Sequence, residues 1–331
     1  MAGSDGGSAV DSPLLSVRNL SVSYSTPSGP LRAVEDVSLE IAPGETLGLA
    51  GETGCGKSTI ALSIVGLLDG GHIESGKILF EGRSLPDSGE AAWRKIRGSK
   101  IGLVFQDARG SLNPVLTVGQ HFEEALRAHR QMTRRQWRDH ASKLLAEVGV
   151  PEPAFVLRRY SHELSGGTCQ RVGIALAICH HPSLLIADEP TSALDPTIQA
   201  QIITLLMQMK HRLGLALLFI GHDLPLIYGI ADRVAVMYGA RIVESGPARE
   251  VLSAPAHPYT RGLLQCVPDL SRAPGGQRLE PIPGSPPISL RLLQGCSFAP
   301  RCGIAEERCY SETPEPTPVS ETHWAACIKA R

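Results

Sequence analysis

The apolar positions of this chain change period in a regular order along its length. From Leu14 to Leu49 the period is two, clearest where Val37, Leu39 and Ile41 alternate with Ser38 and Glu40 ahead of Pro43-Gly44, and it predicts short strands separated by turns. Tyr24 closes one of them. Thr46 to Ala50 is a continuous apolar run that leads into GETGCGKST, and a helical run follows from Ile60 to Leu68. Gly76 to Phe80 and Ile101 to Phe105 read as further strands. From about Val118 to Val150 the spacing becomes helical. Arg127, Arg130, Arg134, Arg135 and Arg138 in this stretch read as a solvated face or a docking surface. A second helix start lies in SHELSGGTCQRVGIALAI, and the apolar runs Leu184 to Ala187 and Leu215 to Ile220 read as strands buried on both faces. Strands alternating with helices in this way predict an α/β fold.

The candidate chemistry sits at the ends of these runs. Gly51 to Thr59 fits G-x-x-x-x-G-K-[ST] between a strand and a helix, the context in which the pattern makes a phosphate cradle. Gly51, Gly54 and Gly56 let backbone N–H groups turn inward, and the helix start adds its positive dipole end. Lys57 would reach terminal phosphates, Ser58 would place its hydroxyl on Mg²⁺, and Cys55 reads as a small loop residue. Ser165, Gly166 and Gly167 repeat the same physics at a second helix start. One triphosphate does not need two such cradles, so the site either closes within the chain or caps a nucleotide held by another subunit. Asp188 and Glu189 follow a buried strand, suited respectively to holding Mg²⁺ and to orienting or deprotonating a water. Asp195 stands near a helix start, and His222 ends the next strand, where it would contact a γ-phosphate or the water.

Composition limits the partners. Over 331 residues, 32 lysines and arginines face 33 acids, so no global charge points to nucleic acid or anionic lipid. No apolar run approaches the roughly 18 to 20 residues needed to cross a bilayer. The start, MAGSDGGSAVDS, has neither a basic nor an apolar leader segment and is read as a frayed cytosolic terminus over residues 1–12.

Together these residues resemble the nucleotide-binding subunit of an ABC transporter, from about Leu14 to Val251: Walker A at 51–58, Gln106 as Q-loop, LSGG at 164–167, LLIADE as Walker B, SALD as D-loop and His222 as switch histidine. Gly221 and Thr168-Cys169 depart slightly from the usual pattern. The resemblance implies a P-loop NTPase with a RecA-like core, an antiparallel β subdomain and a helical signature subdomain at about 107–180, within a nucleotide-binding domain at 13–255. It implies an ATPase using ATP and Mg²⁺ as a head-to-tail dimer. Gly51, Gly54, Cys55, Gly56, Lys57, Ser58 and Thr59 would contact the nucleotide, Tyr24 would stack on adenine, and Ser165, Gly166 and Gly167 would face ATP held by the partner. Glu189 would be the base; Gln106 would sense Mg²⁺, which Ser58, Gln106 and Asp188 would ligate.

QDARGSLNP, HPYTRGLLQCVPDL, PIPGSPP and GCSFAPRC resemble the oligopeptide, dipeptide and nickel importer branch, and residues 256–331 its C-terminal extension. That branch implies a second, non-identical ATPase subunit, two transmembrane permeases and an extracytoplasmic binding protein, with this chain peripheral on the cytoplasmic face of the membrane. Peptides are the expected cargo; nickel or another small solute is the alternative. A soluble ABC ATPase acting on ribosomes or DNA is the reading from another class.

Four of the eight cysteines, Cys296, Cys302, Cys309 and Cys327, lie in this proline-rich tail, which has too few apolar residues to hold itself together. A cytosolic setting disfavours disulfides. Their intervals are wider than a zinc knuckle, and related importer ATPases carry a cluster here, so a [4Fe-4S] cluster is expected, with Zn²⁺ or unligated thiols as alternatives and His323 as a substitute ligand.

Overall fold

The computed structural model describes residues 12–27, 29–86, 89–266, 281–287 and 294–330. The expected frayed terminus lies outside the described residues except for Ser12, and so does the end of the HPYTRGLLQCVPDL stretch, residues 267–270. The strands are β1 (Leu15–Thr26), β2 (Gly29–Ile41), β3 (Thr46–Ala50), β4 (Gly71–Phe80), β5 (Arg83–Ser84), β6 (Ile101–Val104), β7 (Leu184–Asp188), β8 (Ala216–Gly221), β9 (Arg233–Tyr238), β10 (Arg241–Pro247), β11 (Thr317–Pro318) and β12 (Trp324–Ala325). The helices are α1 (Lys57–Ile64), α2 (Glu90–Arg94), α3 (Ala108–Ser111), α4 (Val118–Arg127), α5 (Arg134–Glu147), α6 (Pro153–Val156), α7 (Gly166–Ile178), α8 (Pro196–Leu213), α9 (Leu224–Ile230), α10 (Ala248–Ser253), α11 (Pro258–Gln265) and α12 (Glu307–Ser311).

The strands form two sheets, in the orders β2-β1-β4-β5 and β11-β12-β10-β9-β3-β8-β7-β6. The first is antiparallel; in the second β9, β3, β8, β7 and β6 run parallel and the β10 side is antiparallel. The parallel strands are apolar without alternation because both of their faces are covered. In β8, Leu217 and Phe219 join the core formed with the helices, while Ala216, Leu218 and Ile220 join the core beneath the antiparallel sheet. β7 divides in the same way, Leu185 and Ala187 against Leu184 and Ile186. All the strand ends that carry polar residues therefore emerge at one edge.

Local differences from the sequence reading have local causes. The strands before Leu49 are two long ones, paired from Leu15↔Ile41 to Thr26↔Gly29 with shifts in register that let them bend, rather than several short ones. The helix after the P-loop stops at Ile64, short of Leu68, because Gly66 turns with φ 62° and a Cβ there would run into the Trp93 ring. The helical stretch 118–150 divides into α4 and α5, each opened by a reciprocal threonine and glutamine cap, Thr117 with Gln120 and Thr133 with Gln136. The arginines at 127, 130, 134 and 135 are exposed.

The C-terminal extension is joined to the central sheet. β12 pairs with β10 through Glu244↔Ala325 and Ser245↔Trp324. Glu244 is fully buried; it accepts from the N–H groups of Ala256 (2.6 Å) and His257 (3.1 Å), and its Oε1 lies 2.8 Å from His323 Nε2. Three groups from two separate segments thus converge on one buried carboxylate. Glu244→Ala leaves all three without a partner and should cost about 3–5 kcal/mol, measured as the shift in denaturant midpoint. It should also open the chain beyond Ser253 to limited proteolysis, and an unchanged midpoint would refute this role.

Candidate active site

The P-loop leaves β3 at Ala50 and turns into α1. Gly56, at φ 109°, caps the helix, and a Cβ on it would run into the Ala33 carbonyl of β2 and the Met237 side chain of β9. A Cβ on Gly51 would meet the Met237 carbonyl. At these two positions the loop is wedged between strands so closely that only bare backbone fits, whereas Gly54, at φ 85°, has open space around it. Lys57 is buried, and its Nζ donates to the carbonyls of Gly51 (2.8 Å) and Glu52 (3.0 Å). Cys55 lies behind it, Sγ 3.8 Å from Nζ, and burial pushes its thiol up, so it is a protonated filler of the turn.

The two acids at the end of β7 have different surroundings. Burial pushes the Asp188 carboxyl above its usual range, against the pull of a hydrogen bond with the Ser58 hydroxyl. Its Oδ1 is buried with no hydrogen-bond partner. An orphaned carboxylate oxygen beside a hydroxyl is a donor set that fits a divalent cation. Glu189 takes φ 43°, a left-handed conformation a non-glycine residue adopts at a cost, and its N–H donates to the Ile220 carbonyl (3.0 Å). In that pose its carboxylate gathers three other groups. Lys57 Nζ is 3.9 Å away, Gln106 Nε2 donates at 3.2 Å, and His222 Nδ1 lies at 3.5 Å. Five of the residues singled out in the sequence, on four separate segments, are brought together: Lys57, Gln106, Asp188, Glu189 and His222, with Ser58 against Asp188. A carboxylate so placed can hold a water beside a phosphate-binding lysine, and the exposed amide and imidazole leave one side open.

Ser165 caps α7, its Oγ accepting from the Thr168 N–H (3.2 Å). Gly166 and Gly167 face Leu194 and Ile198 beside Asp195, which caps α8 by accepting from Thr197 N (3.1 Å) and Ile198 N (3.1 Å). Among the described residues, Ser165 to Gly167 make no hydrogen bond to the P-loop or to Glu189. Arg109, in the short helix α3 after Gln106, ties the two regions by donating to the Leu164 carbonyl (2.6 Å). Tyr24 is half-buried with its ring over Gly71, and it pairs with Leu31, two residues from Ala33 at the P-loop.

Cys296, Cys302, Cys309 and Cys327 line a single cavity of about 20 Å³, together with His257 and Phe298. All are free thiols, and burial pushes Cys296 and Cys327 up. His257 is held neutral, its value lowered to about 4 by burial, and its Nε2 has no partner. Among the described residues no three His, Cys, Asp or Glu side chains are close enough together to hold a single metal ion. The thiols as placed thus show neither the expected [4Fe-4S] cluster nor the zinc alternative. His323 bonds Glu244 through Nε2 and is not among the residues that line this cavity.

The sequence reading missed Glu52, Tyr259 and Arg301. Glu52 N–H donates to the Tyr259 hydroxyl (2.9 Å), and Arg301 clasps the Glu52 carboxylate at 2.7 and 3.1 Å. Tyr259 and Arg301 lie in quoted stretches, HPYT and APRC, but only the fold carries them to residue 52.

Residues 34–192 match the ABC transporter profile, and residues 243–309 match the oligopeptide/dipeptide transporter C-terminal region. A Brucella ovis protein named as a peptide import ATP-binding protein is 45% identical over 328 residues, covering 96% of this chain and 97% of its own. A Brucella abortus protein named likewise is 46% identical over 303 residues, 91% of each chain. Among solved structures, the dimeric ATP-binding cassette MJ0796 in a post-hydrolysis state with ADP and Pi aligns with TM-score 0.64 at 27% identity, over 71% of this chain and 99% of its own. CbiO1 of Clostridium perfringens, part of an ABC transporter complex, aligns with TM-score 0.62 at 30% identity, over 73% of this chain and 91% of its own. With its P-loop, paired acids and C-terminal region all matched, the chain belongs to the ABC transporter family as an ATP-binding subunit, an ATPase that uses MgATP, in the branch that carries the oligopeptide/dipeptide transporter C-terminal region.

Proposed function

We propose that the chain is the ATP-hydrolysing subunit of a peptide importer and that Glu189 is its catalytic base. The observation that carries the reading is the convergence of Lys57, Gln106 and His222 on the Glu189 carboxylate. Bound MgATP supplies the phosphoryl group, with its charge partly neutralised by the ion. The chain's own residues do the rest. The amides of Gly51 to Gly56, with Lys57, Ser58 and Thr59, would hold the terminal phosphates, and Tyr24 the purine. Ser58, Asp188 and Gln106 would hold the ion, which would keep Asp188 ionised despite its burial. Glu189 would orient and deprotonate the water, and His222 would steady the γ-phosphate.

Ser165, Gly166 and Gly167, exposed or half-buried and without a bond to their own P-loop, would cap nucleotide held by a second ATPase subunit, with Asp195 beside the contact. We take that partner to be unlike this chain, as the resemblance of its C-terminal region to the oligopeptide/dipeptide branch implies. Among the described residues no helix is long and apolar enough to cross a membrane, so transport needs separate permease subunits fed by a binding protein outside the cell. A groove of about 370 Å³ supports their docking: Leu67, Phe105, Leu112 and His121 line it, and Phe105, directly before Gln106, is 42% exposed. This reading puts the chain on the cytoplasmic face of the membrane. It also divides the chain into a nucleotide-binding domain at 13–255, with a helical subdomain at about 107–180, and an extension at 256–331. For the cysteines we retain the [4Fe-4S] reading on its donor set, four thiols around one cavity.

Glu189→Gln should lower steady-state ATP turnover by about 10²- to 10⁴-fold while binding of a fluorescent ATP analogue persists; wild-type turnover would refute the assigned role. Affinity capture of the tagged chain from detergent-solubilised membranes should bring down hydrophobic permeases and a second ATPase, and the binding protein from the same complex should retain di- or oligopeptides. Recovery with ribosomes or DNA and no permease would favour the soluble reading. Iron and acid-labile sulfide should be found in anaerobically purified protein, and zinc at one per chain without sulfide would end the cluster reading.

A further inference from the structure

We propose that Arg301 and Tyr259, both in the C-terminal extension, are positioning residues of the ATP site that act through Glu52, the second residue of the P-loop. Arg301 reaches Glu52 across 249 residues of sequence with a two-pronged clasp, Nη1 to Oε2 at 2.7 Å and Nη2 to Oε1 at 3.1 Å. Its third nitrogen, Nε, donates to the Pro283 carbonyl (2.8 Å), and Nη1 also lies 3.3 Å from the Tyr238 hydroxyl. The guanidinium is thus fixed on three sides, with its side chain 6% exposed. Tyr259, fully buried, takes the Glu52 N–H on its hydroxyl at 2.9 Å. Glu52 in turn offers its carbonyl to Lys57 Nζ at 3.0 Å. One residue is held by the extension at its amide and its carboxylate, and it holds the phosphate-binding lysine by its carbonyl.

Two consequences follow from this wiring. The first turn of the P-loop is pre-organised by a segment far along the chain, so its amides need no reordering when phosphates arrive. The second concerns charge. A loop built to receive anions carries a carboxylate at its second position, and Arg301 cancels it; with Arg301 removed, the uncompensated Glu52 opposes every phosphate that enters. The turn that presents Arg301, Ala299 to Arg301, is bracketed by Cys296 and Cys302. It is braced by Phe298, whose ring packs against Tyr238 (5.2 Å) and Tyr259 (5.4 Å). The cysteine-bearing segment and the ATP site are therefore mechanically one unit.

The sign of the charge effect separates this from an ordinary ion pair. In the full-length chain, Arg301→Met should weaken binding of a fluorescent ATP analogue about tenfold, Glu52→Gln should tighten it about threefold, and the double variant should return to within about twofold of wild type, the pattern expected of a coupled charge pair. Tyr259→Phe, which keeps the ring and loses only the acceptor, should weaken binding without changing its salt dependence. Thermal midpoints measured alongside identify a purely structural pair: if Arg301→Met and Glu52→Gln both lower the midpoint and leave ATP affinity unchanged, or lower affinity alike, the proposal is wrong. If Arg301→Met does not fold, Glu52→Gln decides the matter, tighter binding supporting the proposal and unchanged or weaker binding overturning it. Wild-type chain that fails to bind the analogue, judged against Lys57→Ala, would instead indict the P-loop reading on which this rests.

Discussion

Parallel strands buried on both faces leave charge nowhere to go except beyond their ends, and the chemistry of this protein follows from that constraint. β3, β7 and β8 carry almost no polar side chain until they stop, and where they stop the chain places a glycine loop, two acids and a histidine. Because the strands are neighbours in one sheet, Gln106 arrives within hydrogen-bonding range of Glu189 across 83 positions of sequence, and Lys57 comes within ion-pair range from farther away. The strained backbone of Glu189 is the local cost of turning its carboxylate toward Lys57.

The same sheet explains why two acids side by side can serve different purposes. Asp188 is the last residue of its strand and is drawn inward, where burial resists its charge. Glu189, one residue on, keeps its backbone bond to Ile220 but turns its side chain to an amide, an ammonium and an imidazole. The contrast arises from position along the strand, not from residue type.

Much of this was legible in the sequence because it is local. A glycine pattern between a strand and a helix, acids after an apolar run and a serine ahead of two glycines each carry their own physical meaning within a few residues, and Ser165 and Asp195 do cap helices. Contacts between distant segments were not legible. Nothing near Glu52 announces that its partner is Arg301, because an ion pair across 249 residues leaves no periodicity to read. The four cysteines fall between these cases: their abundance in the tail pointed to a shared purpose, and they do line one cavity, but their spacing did not give the geometry around it. The division of residues 118–150 into two helices could have been seen, since T-x-x-Q occurs twice.

The pairing of β12 with β10 sets an order of events during synthesis. Until residues 323–325 emerge from the ribosome, β10 has no partner on its β12 side and Glu244 waits without the imidazole that later lies beside it. A nascent chain halted before residue 323 would leave β10, paired only with β9, as an open edge and its buried acid without the imidazole, features that invite strand-to-strand aggregation and recognition by quality control. The β10 edge is thus covered only once translation has passed Ala325, and any shorter product carries that edge as a mark of its truncation.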